Sequence, residues 1–257
     1  MKSKKRVRLS ISGVVFAIGV YIFVTLRPDV VAGAAASGAK LLFAASLLMM
    51  MCSLLCVITQ LLPNRKPTPV RNLTMAAVFA ALCYIGFTFF RIDIPVGMEK
   101  TAFHLGNVFC VLAALFLGGF WGGMSGAIGM TIADLTTAYV TSAPKTFLLK
   151  LGIGLITGFV AHKLFHLSRE GQRKVPLSVA TVLSCAAGMG FNIVADPVVG
   201  YFYKMYIMGV PQEAATIWAK IGAVTTSVNA VVAVIAASIF YMALRPALKR
   251  ANLMPQL

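Results

Sequence analysis

Apolar residues in this chain gather into long runs separated by short polar or glycine- and proline-bearing breaks. A bilayer-spanning helix needs about 20 mostly apolar residues, and the runs are of that order. The first extends from about Leu9 to Leu26 and the second from Leu41 to Leu62. Pro63, Asn64, Arg65, Lys66, Pro67 and Pro69 then end the second helix and make a linker, because proline lacks the N–H that a helix needs. Six further runs follow: Leu73–Phe90, Phe103–Leu117, Trp121–Thr137, Thr146–Leu164, Pro176 to about Met208, and Glu213–Leu244. Asn72 stands where a cap for the third helix belongs. Arg91–Lys100 reads as a loop, Gly118-Gly119 as a break, and Ala138–Lys145 as a turn with Pro144. The pattern predicts an all-α integral membrane protein. Residues 1–66 form a two-helix extension with its linker, and residues 67–257 form a six-helix core. For the first run a secretory signal peptide competes, since Ala34-Ala35-Ala36 mimics a cleavage site. The length of the run and the intervening Arg27-Pro28-Asp29 favour a retained helix.

Composition agrees. Hydrophobic residues make up 59% of the chain and charged residues only 12%, with a mean hydropathy of +0.87, whereas soluble domains carry about 25% charged residues. The net charge of +16 raises the question of nucleic acid, and its distribution answers it. Fifteen of the 23 basic residues fall in four short segments, Lys2–Arg8, Arg65–Arg71, Lys163–Lys174 and Arg245–Arg250. These lie at alternate ends of the runs, which is the positive-inside signature of a membrane protein. With eight helices, both termini are expected in the cytoplasm. The five cysteines, Cys52, Cys56, Cys83, Cys110 and Cys185, all lie within apolar runs without a metal-ligand spacing. They read as small hydrophobes.

Ionisable groups inside a membrane are costly, so they are the first candidates for function. At 1.5 Å per residue, Asp134 lies about 20 Å from the cytoplasmic end of its helix. Lys150 lies about 8 Å from the outer end, and Asn192 and Asp196 about 24 and 30 Å up from the cytoplasm. Trp218 and Lys220 begin the last helix at its outer end. The convergence predicts one outward-facing polar pocket. Asp134 and Lys150 are open to a second reading, as a mutually neutralising pair that locks two helices. Lys220 and Glu213 fit interfacial snorkelling. Ala76, Ala77, Ala80 and Ala81 place small side chains one turn apart, suited to close helix approach within the chain or against another protein. Glycines at 122, 126, 129, 152, 154 and 158 read as helix-packing faces. His162 and His166 sit at i,i+4 beside a basic loop and read as a solvated helix end rather than a metal pair. The chain has no GxxxxGK[ST], HExxH or GxSxG motif, hence no sign of an ATPase or hydrolase of its own.

Several segments together carry a family resemblance. His104-Leu105-Gly106-Asn107, Leu112–Gly118, Gly123–Gly129, Ala133-Asp134-Leu135, Tyr139 and Ala143–Lys150 resemble the substrate-binding (S) components of energy-coupling factor (ECF) vitamin transporters. The likeness is to the riboflavin, hydroxymethylpyrimidine or pyridoxine branch, from Arg71 to about Leu244. It implies a six-helix fold that captures a vitamin-sized molecule near the outer surface. It also implies a transmembrane coupling protein and two cytoplasmic ATPases as partners, with no catalysis, cofactor or metal of its own. The coupling protein is expected on Ala76, Ala77, Ala80 and Ala81. The expected pocket residues are His104, Asn107, Asp134, Lys150, Asn192, Asp196, Trp218 and Asn229, around a neutral or zwitterionic heterocycle. The alternative is a stand-alone proton-coupled carrier using Asp134 and Asp196. The two added helices depart from the family's usual six.

Overall fold

A computed structural model describes residues 2–31, 37–61, 70–96, 99–251 and 254. The proline-rich linker expected between the extension and the core lies outside the described residues, as do the side chains of Cys52 and Cys56. Helices α1 (Lys2–Val31) and α2 (Ser37–Leu61) precede α3 (Val70–Thr88). A hairpin of β1 (Arg91–Val96) and β2 (Glu99–His104) follows, then α4 (Gly106–Leu135) and α5 (Ala143–Phe159). Helices α6 (Leu177–Phe202) and α7 (Gln212–Arg250) complete the chain. Single π-turns, Val160–Leu164 and Tyr203–Ile207, extend α5 and α6. Among the described residues, five helices from α3 onward are long and apolar enough to cross a membrane.

The six expected core helices are present once α4 is seen as two arms. Gly118 has φ 79° and ψ 174°, a conformation open essentially to glycine alone. There the chain reverses, and residues 119–135 run back along residues 106–117. Gly122 lies on Ala114, Gly126 on Cys110 and Gly106 on Met130, three contacts symmetric about Gly118. A Cβ added at Gly122 would collide with the backbone of Ala114. The second arm then crosses α5 with Gly123 on Gly154 and Gly119 on Gly158, and meets α3 where Gly129 fits beneath the Ala80 carbonyl. The glycines thus sit where helix axes approach most closely.

Reversal also leaves the last carbonyls of the first arm without intrahelical donors. His162 supplies one. Its Nε2–H donates to the Ala114 carbonyl at 3.2 Å, while Nδ1 accepts from the Ser168 hydroxyl at 2.5 Å. This histidine is therefore a helix-end brace, where the sequence pattern suggested a solvated group.

The segment expected as a loop at 91–100 is an antiparallel hairpin with Arg91 opposite His104 and Ile94 opposite Thr101. Its alternation, Arg-Ile-Asp-Ile-Pro-Val, carries the strand period. His104 consequently ends a strand, and the helix expected from Phe103 begins at Gly106.

The first arm of α4 is the centre of the core: Val108, Val111, Leu112, Leu115 and Phe116 are all buried. Helix α4 packs between α3 and α5, while α6 pairs with α7. Helices α1 and α2 pair with one another, and Leu48 of α2 lies against Phe147 and Leu151 of α5. Phe23, Leu26, Phe43 and Leu47 cluster with Tyr203, Ile207 and Met208 at the α6–α7 elbow.

Candidate functional site

A cavity of about 130 Å³ lies at the hairpin end of the core, enclosed by β2, both arms of α4, α5, α6 and α7. His104, Asn107, Asp134, Lys150, Asn192, Asp196, Trp218 and Asn229 all line it. Five separate elements deliver them. Helix α4 contributes one group from each arm, because its reversal returns Asp134 to the level of Asn107.

The hydrogen bonds divide these residues into two sets. Asp196 is engaged at both oxygens: Lys145 Nζ donates to one at 2.9 Å and the Thr226 hydroxyl to the other at 2.7 Å. The carboxylate thereby ties α5, α6 and α7 together. Asn229 is likewise committed. Its Nδ2 donates to the Ala102 carbonyl, and its Oδ1 accepts the His104 backbone N–H, both at 3.0 Å. It pins strand β2 to α7. Tyr139 holds the other side of the hairpin, donating to Asp93 at 3.0 Å and placed 3.1 Å from the Thr101 carbonyl. Arg91 pairs with Asp93 at 2.7 Å and lies over the rings of Phe87 and Tyr139.

The second set keeps buried polar atoms without a partner. Asn107 Oδ1, Asp134 Oδ2, Asn192 Oδ1 and His104 Nδ1 are buried without a hydrogen bond. Asn107, Asp134 and Asn192 are each at most 2% exposed. Lys150, also buried, forms no ion pair with Asp134 or Asp196 within the 4.0 Å that defines one. The Asp134–Lys150 lock is thus not formed, and Asp196 has Lys145 as its partner instead. An orphaned buried polar group costs about 1–3 kcal/mol, and four such atoms lie on residues that line the cavity. His104 stacks edge-on against Phe87 at 4.8 Å. Burial, reinforced by the Lys150 charge, lowers its pKa to about 3, so the ring is neutral, with one nitrogen able to donate and the other to accept.

The lining is more basic than the sequence suggested. Lys100 arrives on the hairpin and Lys204 on the π-turn, joining Lys145 and Lys150 against Asp134 and Asp196. The Lys204 ammonium sits 4.3 Å above the Trp218 ring. Sequence reasoning missed Lys145, Thr226, Lys204 and Phe87 as pocket residues. Lys145 and Asp196 are separated by 51 positions and on different helices, so no spacing announces them. Lys220 is exposed outside the cavity.

None of the four alanines lines the cavity. Ala76 is buried and Ala77 and Ala81 are exposed. All four line an apolar groove between α3 and the second arm of α4, with Leu73, Tyr84, Trp121, Met124 and Ile128 among its walls. No described residue of α1 or α2 enters that groove. Among the described residues no cluster of three or more metal-ligating side chains occurs.

A family model described as "ECF-type riboflavin transporter, S component" matches residues 68–246. Comparison with curated proteins and with solved structures gives no match. The match spans the helical core from α3 into α7, including every element that lines the cavity. With a membrane-embedded helical core and a polar cavity built inside it, this chain belongs to the S components of ECF transporters, the substrate-specific and non-enzymatic membrane subunits of those importers.

Proposed function

We propose that the cavity captures a vitamin or vitamin precursor with a heterocyclic ring, of the riboflavin, hydroxymethylpyrimidine or pyridoxine type, on the extracellular side. The observation that carries this reading is the cluster of buried atoms without a hydrogen bond on cavity-lining residues, His104 Nδ1, Asn107 Oδ1, Asp134 Oδ2 and Asn192 Oδ1, beside the buried Lys150. A ring bearing N–H or O–H donors, with a carbonyl or acidic acceptor for Lys150, satisfies them together. Phe87, His104, Tyr139 and Trp218 offer ring faces. At about 10–15 Å³ per water-sized position, the cavity has room for a one- or two-ring molecule. In this assignment Asp196 and Asn229 shape the pocket, while Asn107, Asp134, Asn192 and Lys150 meet the ligand.

Orientation follows from charge. The described basic segments after α5 and at the end of α7 lie opposite the cavity, so by the positive-inside rule both termini face the cytoplasm and the cavity faces outside. The alanine groove is the docking face for the coupling protein, which in turn carries the two ATPases. Helices α1 and α2 are an accessory extension beside that face, and they leave it open.

Calorimetric titration of the full-length protein in lipid nanodiscs with riboflavin, hydroxymethylpyrimidine and pyridoxine tests the reading. One of them binds at one per chain, and Asn192→Ala weakens it about tenfold, the loss of one buried hydrogen bond at about 1–3 kcal/mol. Ala77→Trp retains that binding but no longer co-purifies with the coupling protein. A protein that binds none of the three overturns the assignment.

A further inference from the structure

A second cleft opens at the basic end of the core, with no part in the cavity just described. Its floor is apolar, formed by Leu155, Ile156 and Phe159 against Gly118-Gly119, and its mouth carries Lys163, His166 and Arg169. Leu155 and Phe159 are exposed, 44% and 56% respectively, and both Lys163 and Arg169 are exposed too. No acidic side chain is present among the described lining residues.

Position along α5 gives the cleft its chemistry. Leu155 and Phe159 are one turn apart on α5 and Lys163 follows on the π-turn, so the apolar floor precedes the basic mouth by about one to two turns along the axis. Residues 155–159 lie in the final turns of a membrane span that ends at Leu164. The floor is therefore at acyl-chain depth and the basic mouth at head-group depth. Arg169 is steadied by its guanidinium donating to Gln172 at 3.4 Å. The close approach of Gly119 to Gly158 walls one side, where side chains would close the space. The volume, about 710 Å³, exceeds what a free anion fills and suits a head group with the upper part of a chain.

We propose that this cleft is a binding site for one anionic phospholipid of the leaflet facing the basic clusters. The phosphate rests between Lys163, His166 and Arg169, with an acyl chain along Leu155, Ile156 and Phe159. Basic pockets at the ends of membrane helices select anionic head groups at about 1 kcal/mol per Lys or Arg near the surface. The bound lipid would buttress the Gly118 reversal, since His162 joins the Ala114 carbonyl to Ser168 at the cleft wall.

Native mass spectrometry of the full-length protein in detergent, titrated with dioleoyl-phosphatidylglycerol or dioleoyl-phosphatidylcholine, tests this. One phosphatidylglycerol is expected to be retained under activation that strips phosphatidylcholine. Lys163→Ala with Arg169→Ala should weaken that retention about 25-fold, two basic groups' worth. Lys249→Ala with Arg250→Ala, an equal loss of charge outside the cleft, should leave it unchanged. Leu155→Trp, which fills the floor and keeps every charge, should also displace the lipid. Equal binding of the two lipids, or equal loss in the Lys249/Arg250 variant, overturns the proposal and reduces the effect to general surface charge.

Discussion

Removing the Asp196 charge should loosen the core by an amount set by its partner. Asp196 and Lys145 meet at 2.9 Å with side-chain exposures of 23% and 18%, and Thr226 donates to the other carboxylate oxygen. Exposed ion pairs contribute about 0–1 kcal/mol, and breaking a buried pair costs about 3–5. This pair lies between those limits. Asp196→Asn keeps the Thr226 hydrogen bond and the shape but removes the charge nearest Lys145 in a cavity that also holds Lys150. A loss of about 2 kcal/mol is expected, and at about 2–4 °C per kcal/mol for a chain of this size the melting temperature should fall by about 4–8 °C. The assay is a double-mutant cycle by thermal unfolding in detergent, with Lys145→Met as the second arm. If the pair clamps α5 to α6, Asp196→Asn in the Lys145→Met background costs less than about 0.5 kcal/mol, so the two changes couple by about 1–2. Additive losses would refute the reasoning, because they would mean that each residue acts through other neighbours.

Three further outcomes follow from the same geometry. His104 is held neutral with its pKa lowered to about 3, against about 6.5 when unfolded, so the unfolded chain binds the extra proton between those values. Stability should be full above about pH 6.5 and fall as pH drops toward 3, and His104→Gln should flatten that slope in thermal unfolding from pH 4 to 7. Gly118→Ala forces a side chain into a glycine-only conformation at φ 79° and should cost about 1–3 kcal/mol, read as a lowered melting temperature. Asn229→Leu removes both bonds to β2 and should free the hairpin, seen as faster proteolysis within residues 91–104 while the helical content is unchanged.

Membrane location, the succession of apolar helices and the convergence of polar residues on one level were legible in the sequence because each is local. Hydropathy and helical rise act within one segment, and basic clusters mark its ends without reference to any other. The Gly118-Gly119 break and the small-residue faces were legible on the same ground. So were the eight pocket residues as a group, since depth along each helix is a count of residues. Their division of labour was not. Whether Asp134 faces Lys150, and whether Asn229 serves the ligand or the hairpin, depends on helix rotation about its own axis, which depth does not determine.

The tertiary structure decided those matters. Gly118 folds α4 back so that Asn107 and Asp134 share one wall. Lys145 rather than Lys150 reaches Asp196, and β2 rather than a loop brings His104 over the cavity. Each is a pairing between residues far apart in the chain, and packing selects it by excluding the alternatives: glycine contacts fix how closely and at what rotation the helices meet. Sequence determined which groups enter the membrane and how deep. Only the assembled bundle determined which of them neutralise one another and which keep an unpaired polar atom.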